Sequence, residues 1–259
     1  MTADAVAEEP ELERFRRELT GYCYRMLGSG SEAEDAVQET FLRAWRSAAG
    51  FEGRSSLRSW LYRIATNVCI DMSREPQRRA RPMELAAPSP PHESLLGPML
   101  PEATWVTPVP DGRVEPVGGD PAEVAVHRES IRLAFVAALL RRYVDAFERY
   151  DVDALVALLH ADAVMSMPPY GMWIRGAESI GAFMLEPTPS HCRGSRLVPL
   201  SADGCPAYGQ YKPDPDRGGR SPWALQVLEV ADGRIWGFHC FLDTVRLFDA
   251  FGLPDRLPA

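Results

Sequence analysis

The clearest chemical signal lies between positions 51 and 81, where arginine is interleaved with aromatic and small polar side chains. Seven arginines and three acidic residues give this stretch a local charge of +4, although the whole chain carries a net charge of −8. Arginine neutralises phosphates, whereas exposed aromatic and amide side chains engage unstacked bases. The composition therefore suits a single-stranded nucleic acid. A solvated basic helix face is the alternative that charge alone leaves open.

A second set of reactive side chains lies near the C-terminus, in a stretch with the alternation of a strand. His239 and Asp243 fall on one side of that strand, with Phe241 between them. As a pair they could act as general acid and base. The alternative is a hydrogen-bonded, half-buried histidine and a capping aspartate. The residues expected to line a pocket beside them are Tyr170, Trp173, Tyr208 and Gln226.

Several classes of protein are disfavoured by what the sequence lacks. The five cysteines show no CxxC pair and no regular spacing, which predicts reduced thiols and neither a disulfide framework nor a metal site. There is no phosphate loop or dinucleotide fingerprint, so no cofactor is expected. The acidic N-terminus has no apolar core, and no apolar run has membrane-spanning length. These features predict a cytoplasmic protein without a membrane partner.

Three zones of different composition must position these side chains. Residues 11–81 follow helical spacing, and Ser31 is expected to cap the second helix. Residues 82–121 hold ten of the 23 prolines, which predicts an extended linker. Residues 122–259 begin as a long helix and continue as strands, two of them joined by a hairpin turn at Asp232-Gly233. Helices followed by an antiparallel sheet predict an α+β fold.

Three stretches of the first zone, 24–28, 34–45 and 51–67, carry a continuous resemblance to a known family. They read YRMLG, EDAVQETFLRAW and FEGRSSLRSWLYRIATN. The stretches resemble region 2 of the bacterial extracytoplasmic-function (ECF) sigma factors, in register over residues 11–81. The resemblance implies an all-α helical bundle that binds core RNA polymerase and the −10 element of promoter DNA.

The resemblance also implies which residues make these contacts. In the family, the second helix docks on the clamp helices of the polymerase β′ subunit, which implies contacts by Asp35, Gln38, Glu39, Leu42 and Arg43. Phe41 and Trp45 are expected in the core. The third helix and the loop before it capture the −10 element as it melts, which implies DNA contacts by Arg54, Ser55, Arg58, Arg63 and Asn67.

The rest of the chain departs from the usual domain order of that family. Residues 122–140 resemble the first helix of region 4, the domain that reads the −35 element, but no helix-turn-helix signature follows. Residues 141–259 resemble the SnoaL-like domain found in one branch of these sigma factors. One fused helix is therefore expected across residue 140. The implied C-terminal fold is a cone-shaped α+β domain of the nuclear-transport-factor type, a curved sheet wrapped around helices with a pocket inside.

Two functions follow from this reading. In the first, the chain initiates transcription and its SnoaL-like domain regulates it, with a small-molecule ligand in the pocket. In the second, the chain is a repurposed enzyme, a cyclase, isomerase or hydrolase of a small apolar metabolite, with His239 and Asp243 as its catalytic pair. The dense arginine surface favours the first function, and the absent −35 reader favours the second.

Overall fold

A computed structural model describes residues 12–48, 56–72, 79–92, 96–114, 130–186 and 192–258. The chain divides into two units. Unit 1 contains residues 1–79 and 106–120, and unit 2 contains residues 80–105 and 121–259. None of the helices in the described ranges combines the length and the apolar character that crossing a membrane requires.

The secondary structure follows the three zones of composition: helices in the first, short helical turns in the proline-rich zone, and helices with strands in the third. The described helices are α1 (Arg16–Leu27), α2 (Gly30–Arg46), α3 (Leu57–Met72), α4 (Pro82–Leu85), α5 (Asp111–Val114), α6 (Ser130–Arg149), α7 (Val152–Val156), α8 (Ala177–Leu185) and α9 (Thr244–Ala250). The described strands are β1 (Leu159–Ser166), β2 (Trp173–Arg175), β3 (Arg196–Ala202), β4 (Cys205–Pro213), β5 (Arg220–Ala231) and β6 (Arg234–Phe241).

The junction between α1 and α2 is a tight turn. Gly28 ends α1 with a φ of 71°, a left-handed conformation that favours glycine. Ser29 is then extended, and its hydroxyl accepts the backbone N–H of Glu32. The cap expected at Ser31 is therefore wrong by two residues, because the sharp turn at Gly28 allows α2 to begin at Gly30.

The helices α1, α2 and α3 bury their apolar sides against one another. This arrangement confirms an all-α first domain, since each helix contributes fully buried side chains to one core. The most deeply buried members are Leu19, Cys23, Ala33, Ala36, Val37, Ala44, Leu61, Ala65 and Cys69. The core holds α2 and α3 in fixed orientation, and the opposite sides of these helices remain available for partners.

Residues 106–114 return from the proline-rich zone to pack on unit 1. Thr107 donates its N–H to the carbonyl of Gly28 at 3.0 Å and accepts the hydroxyl of Tyr24 at 2.8 Å. A Cβ on Gly30 would lie 2.6 Å from Val109, so the glycine permits this close approach. The end of the proline-rich zone is therefore fastened to the first turn of α2.

Residues 80–105 belong to unit 2, and the described parts of this stretch, 80–92 and 96–105, are largely extended. Ser89 donates its N–H to the carbonyl of Trp173 at 2.7 Å, and the indole of Trp173 donates to the carbonyl of Ala86 at 2.8 Å. Further along, Leu100 donates its N–H to the carbonyl of Pro169 at 3.0 Å. The described parts of this stretch are thus held in defined positions on unit 2 by backbone and indole hydrogen bonds.

The long helix α6 crosses residue 140 without a break, which confirms the fused helix expected there. Its buried side carries Leu139, Tyr143, Ala146 and Phe147 into the core of unit 2. The described part of the chain contains no helix-turn-helix at this point, because the last residues resembling region 4 and the first residues of the pocket domain share one helix.

Unit 2 is built on a six-stranded sheet in the order β2-β1-β6-β5-β4-β3. The hairpin between β5 and β6 turns at Asp232 and Gly233, with φ angles of 50° and 69°, as the sequence predicts. The expectation of a purely antiparallel sheet is wrong for one pair, since β1 and β6 run parallel. The long connection between them, which includes β3, β4 and β5, makes this parallel pairing possible.

The two faces of the sheet have different neighbours. The inner face packs on α6, α7 and α8 and forms the larger core, with Tyr143, Phe147, Leu155, Ile180, Leu228 and Phe238 among its buried members. The outer face packs in part on α9, through Tyr211, Leu225, Leu247 and Phe248. This division decides which side chains of each strand reach the interior of the cone.

Candidate functional site

The exposed half of α3 carries three of the five residues predicted to contact DNA. Arg63 and Asn67, one turn apart, are exposed along one edge of this half. Arg58 is exposed along the other edge, next to the half-buried ring of Tyr62. The helix therefore separates the three into two rows. Arg54 and Ser55 lie outside the described residues.

The row of Arg58 is an interlocked polar cluster. Glu18 of α1 pairs with the guanidinium of Arg58 and accepts the hydroxyl of Tyr62 at 2.6 Å. The guanidinium carbon of Arg58 also lies 5.3 Å from the centroid of the Tyr62 ring. Burial and the contact with Glu18 raise the pKa of Tyr62 to about 12, so its hydroxyl stays protonated. The ring of Tyr22 meets Tyr62 edge-on, with centroids 4.8 Å apart.

The row of Arg63 is open. Within the described ranges, neither Arg63 nor Asn67 forms an ion pair or a side-chain hydrogen bond, and Ile70 lies exposed one turn further on. Arg63 thus presents an uncompensated positive charge to solvent. Arg58 has 63% of its side chain exposed. Exposed ion pairs are screened by solvent and contribute little to stability, so its partner Glu18 can be exchanged for a phosphate.

The residues predicted to contact the polymerase share one side of α2. Asp35, Gln38 and Leu42 are exposed. Glu39 and Arg43 are half-buried and paired, with 2.7 Å between the Nε of Arg43 and Oε1 of Glu39. Arg43 also reaches Asp71 of α3 at 3.0 Å, which is an unforeseen link between the two helices.

A groove of about 430 Å³ lies beside this face of α2. Its apolar floor includes Phe41 and Leu42, and Arg16 lies over the ring of Phe41 at 5.1 Å. Trp45 lines the groove with 62% of its surface exposed, so the expectation that it lies in the core is wrong. Its indole lies on the exposed side of α2, whereas Ala36, Val37, Thr40 and Ala44 occupy the buried side.

A cavity of about 60 Å³ lies between the inner face of the unit 2 sheet and the helices that cover it. Its walls are apolar and include Phe147, Met165, Met167, Phe183, Trp223 and Phe238. The thiols of Cys192 and Cys240 also face it. Burial raises the pKa of Cys240, so this thiol is neutral at physiological pH.

A chain of buried polar groups runs along one side of the cavity. The hydroxyl of Tyr143 donates to Oε1 of Gln226 at 2.7 Å, and Nε2 of Gln226 donates to Oε1 of Gln210 at 2.8 Å. Nε2 of Gln210 then donates to the hydroxyl of Ser195 at 3.0 Å. Gln226 and Gln210 both line the cavity although their exposures are 0% and 1%. They give an otherwise apolar space a polar end.

The predicted pocket residues are divided by the structure. Gln226 lines the cavity, whereas Tyr170, Trp173 and Tyr208 are outside its lining. Tyr208 is a core residue whose ring lies 5.6 Å from that of Tyr143. Trp173 is bound to the proline-rich stretch at Ala86. The short strand β2 forms the edge of the sheet, next to β1.

His239 lies on the face of the sheet opposite the cavity. The alternation of β6 directs Phe238 and Cys240 inward, and His239 outward. Its Nδ1 is 2.8 Å from the hydroxyl of Ser166, and its Nε2 is 3.6 Å from Glu229. Ser166 therefore forms a hydrogen bond with Nδ1, whereas the buried Nε2 has no hydrogen-bond partner among the described residues.

The proposed acid–base pair of His239 and Asp243 is therefore not assembled. On the same side, Oε1 of Glu229 accepts a hydrogen bond from the guanidinium of Arg81 at 3.1 Å. A Cβ on Gly237 would lie 2.6 Å from Nε2 of His239, so this glycine leaves room for the imidazole. Asp243 lies at the start of α9, and no described hydrogen bond joins it to His239. The sequence assigned the face of the strand wrongly, because alternation alone does not tell which of two faces is the inner one. In the described ranges, no cluster of histidine, cysteine and carboxylate side chains could hold a metal ion.

Comparisons with known proteins agree with this two-unit architecture. The family model of sigma-70 region 2 matches residues 12–79, and that of the SnoaL-like domain matches residues 140–238. The ECF RNA polymerase sigma factor SigG of Mycobacterium tuberculosis (strain ATCC 25618 / H37Rv) is 36% identical over 314 aligned positions, which cover 95% of this chain and 83% of SigG. That alignment is longer than the 259 residues of this chain, so SigG has segments that this chain lacks.

A further sigma factor matches a part of the sequence, and a solved structure matches the fold over most of the chain. The ECF RNA polymerase sigma factor SigW of Bacillus subtilis (strain 168) is 42% identical over 72 residues, 28% of this chain and 37% of SigW. The crystal structure of the Mycobacterium tuberculosis extracytoplasmic function sigma factor SigJ has the same fold, with a TM-score of 0.54 and 19% identity over 95% of this chain and 100% of that chain.

A region 2 helical unit and a SnoaL-like unit in one chain define a sigma factor with an appended pocket domain. The extent of the match to SigG then places the chain plainly: it belongs to the family of ECF RNA polymerase sigma factors. As a sigma factor it acts with core RNA polymerase and promoter DNA in transcription initiation.

Proposed function

We propose that unit 1 holds the opened strand of the −10 element on the exposed half of α3. The observation that carries this proposal is the open row of Arg63 and Asn67 beside the aromatic cluster of Arg58, Tyr62 and Tyr22. Guanidinium groups bind the phosphates, and the amide and the rings engage bases that have lost their stacking partners. Such contacts offset the unfavourable free energy of unpairing and unstacking the duplex.

The exposed side of α2 is proposed to dock on the clamp helices of the polymerase β′ subunit. Leu42 and Trp45 give it two exposed apolar side chains, and Asp35 and Gln38 flank them with polar groups. Interfaces commonly concentrate their binding energy in such central aromatic and aliphatic anchors. Glu39 and Arg43, which are paired along the same side, provide charges that can select the orientation of the coiled coil.

The −10 element carries most of the promoter recognition in this proposal. The helix α6 runs uninterrupted from the region 4 remnant into the SnoaL-like fold, so the described residues offer no second DNA-reading helix. Residues 115–129 lie outside the described ranges. Arg54 and Ser55 are retained as proposed contacts because they precede α3 in the same basic stretch.

Unit 2 is proposed to regulate this activity through the proline-rich stretch. Met167 and Leu242 line the cavity, and Leu242 donates its N–H to the carbonyl of Pro168 at 2.8 Å. The next residue, Pro169, accepts the N–H of Leu100. A shift of the cavity wall would therefore displace the proline-rich stretch at Leu100. Leu100 is seven residues before Thr107, which is hydrogen-bonded to Gly28 within unit 1.

Binding to single-stranded DNA tests the role of α3. The probe is a fluorescent pool of random single strands, because it requires no knowledge of the promoter sequence. Fluorescence anisotropy measures its binding to the full chain in complex with core polymerase. We expect Arg63→Ala to weaken binding by roughly tenfold and to reduce the salt slope by about 0.7 per lost phosphate contact. Asn67→Ala should weaken binding without changing the salt slope.

The matched control is Arg217→Ala, which removes an equally exposed arginine from unit 2. It should leave both the affinity and the salt slope unchanged. Equal losses for Arg63→Ala and Arg217→Ala would show that net charge alone attracts DNA, and the assignment of the −10 strand to α3 would be rejected.

A further inference from the structure

The cavity of unit 2 is specific enough in its chemistry to define the class of molecule that it accepts. We propose that it binds a neutral, mostly hydrocarbon molecule about the size of one ring that carries a carbonyl oxygen. The carbonyl accepts hydrogen bonds from Gln226 and Gln210, and the hydrocarbon part packs against the aromatic and methionine walls. The regulatory meaning of this inference rests on the proposed function of unit 2, whereas the binding itself does not.

The polar end of the cavity has hydrogen-bond donors to spare. An amide nitrogen carries two hydrogens. Nε2 of Gln226 uses one of them on Gln210, and Nε2 of Gln210 uses one on Ser195. Each nitrogen thus keeps one N–H within the described structure, and both side chains are buried at the cavity wall. A buried donor without a partner is unfavourable, so this end selects a ligand that brings an acceptor.

The direction of the polar chain is fixed from its buried start. Tyr143 is fully buried, and its hydroxyl can donate to Oε1 of Gln226 only if the amide has the orientation described. Turning both amides over would leave that hydroxyl without an acceptor in the chain. Even then, each amide nitrogen would use one hydrogen and keep one, so the spare donors do not depend on the orientation.

The remaining lining excludes a charged ligand. None of the described lining residues is lysine, arginine or histidine, and the single carboxylate, Glu186, lies 3.3 Å from His92. Two nearby cations are outside the lining: Lys212 lies over the ring of Trp223 and Arg193 over that of Tyr150. An ionised ligand would be buried without a counter-charge, which is strongly unfavourable.

The size of the cavity restricts the ligand further. Its volume of about 60 Å³ is well below the ~300 Å³ at which sites for larger ligands begin. Flat aromatic walls at Phe147, Phe183 and Phe238 suit a flat molecule. Met165 and Met167 can change rotamer to admit a ring, because methionine adapts its shape more readily than branched side chains.

Three compounds of nearly equal shape separate the requirements. Acetophenone carries the neutral carbonyl, α-methylstyrene replaces that oxygen with a methylene group, and benzoate carries a charge. Isothermal titration of the full chain should detect acetophenone binding. We expect α-methylstyrene to bind about tenfold more weakly, as the loss of a hydrogen bond to buried donors implies, and benzoate to bind about a hundredfold more weakly or not at all.

The ligand class is overturned by any of three results. These are equal or tighter binding of α-methylstyrene, equal or tighter binding of benzoate, and no binding of acetophenone up to its solubility. Cys240→Leu, which fills the cavity, should abolish acetophenone binding. The matched control, Cys205→Leu, places the same change outside the cavity lining and should leave binding intact. Thermal unfolding of both variants verifies that they fold, and the comparison of the three compounds requires no variant at all.

The binding result and the regulatory proposal fail separately. The regulatory proposal is tested directly by measuring transcription by core polymerase and the full chain with and without acetophenone. Binding without any change in transcription would leave the ligand class standing and reject regulation through the cavity. Absence of binding would reject the ligand class and leave DNA and polymerase binding by unit 1 untouched.

Discussion

Glu18 is the residue that decides how much of the basic surface on α3 is available. Burial opposes its ionisation, but the hydrogen bonds from Arg58 and Tyr62 outweigh that effect and hold the pKa of Glu18 below its ordinary value of 4.5. Glu18 is therefore ionised at neutral pH and neutralises Arg58. Before a phosphate can bind Arg58, it must compete with this carboxylate.

Glu18→Gln is accordingly expected to strengthen binding of single-stranded DNA. The change keeps the side-chain shape and removes the competing charge, so we predict a gain of about three- to tenfold at low salt that shrinks as salt rises. Anisotropy titrations at several salt concentrations measure it. Glu178→Gln, at an exposed site of unit 2, is the control and should give no gain. Weaker binding by Glu18→Gln would mean that the ion pair positions Arg58 for DNA and does not restrain it.

Single residues also show where the sequence was insufficient. Helical spacing and composition indicated the exposed arginines of α3, because amphipathic periodicity reports directly on a helix face. The cavity residues Phe238, Cys240 and Gln210 were missed. The alternation of β6 gave two equivalent sets of residues, and only the packing of α6 and α8 on the sheet decides which set faces inward. The placement of Gln226 could be predicted, since a buried amide within a strongly apolar strand needs polar neighbours.

Among the elements, α2 combines a buried and an unusually apolar exposed side. Small residues fill its core side, whereas Leu42 and Trp45 are 48% and 62% exposed. The tryptophan is expected in the core from its residue type, because large aromatic side chains are usually buried. Exposed large apolar residues next to a groove are typical of a surface that a partner covers. This exposed apolar surface is the physical reason for the proposal that α2 binds the polymerase.

Trp45→Ala should weaken binding to core polymerase by about tenfold or more while leaving stability almost unchanged. In the proposed complex the indole contacts the polymerase, whereas in the free chain it is largely solvated, so its removal creates no large cavity. Surface-immobilised core polymerase and thermal unfolding measure the two effects. Val245→Ala removes another exposed apolar side chain, from α9, and should affect neither. A large loss of stability without a selective loss of polymerase binding would contradict the role of α2.

Of the antiparallel hairpins β3-β4 and β5-β6, only the second was recognised from the sequence pattern. The hairpin of β5 and β6 was predicted from Asp232-Gly233 and the alternation around it. The hairpin of β3 and β4 has the same kind of turn at Asp203 and Gly204, with φ angles of 55° and 73°, yet it was not recognised. Its strands contain prolines at Pro199, Pro206 and Pro213, which lower the strand signal. The Asp-Gly dipeptide was the usable signal.

At the scale of the whole molecule, one chain contains a helical unit of the sigma-70 region 2 type and a cavity-bearing unit. The continuous helix α6 occupies the position at which the family resemblance leads one to expect a second DNA-reading domain. Both domain identities followed from resemblance, and the fused helix followed from the absence of a turn signature. The path of the proline-rich stretch did not follow from sequence. Its prolines exclude regular helix, but the hydrogen bonds of Ser89 and Leu100 depend on partners far away in the chain.

Promoter opening by the reconstituted holoenzyme measures the central claim most directly. Core polymerase and the full chain are mixed with a promoter fragment that the holoenzyme has itself selected, labelled with 2-aminopurine in the −10 element. We predict that replacing the −35 sequence leaves the opened fraction unchanged, and that the double variant Arg63→Ala and Asn67→Ala lowers it by about tenfold or more, with polymerase binding intact. Opening that depends on the −35 sequence, or that the double variant does not reduce, would contradict the account.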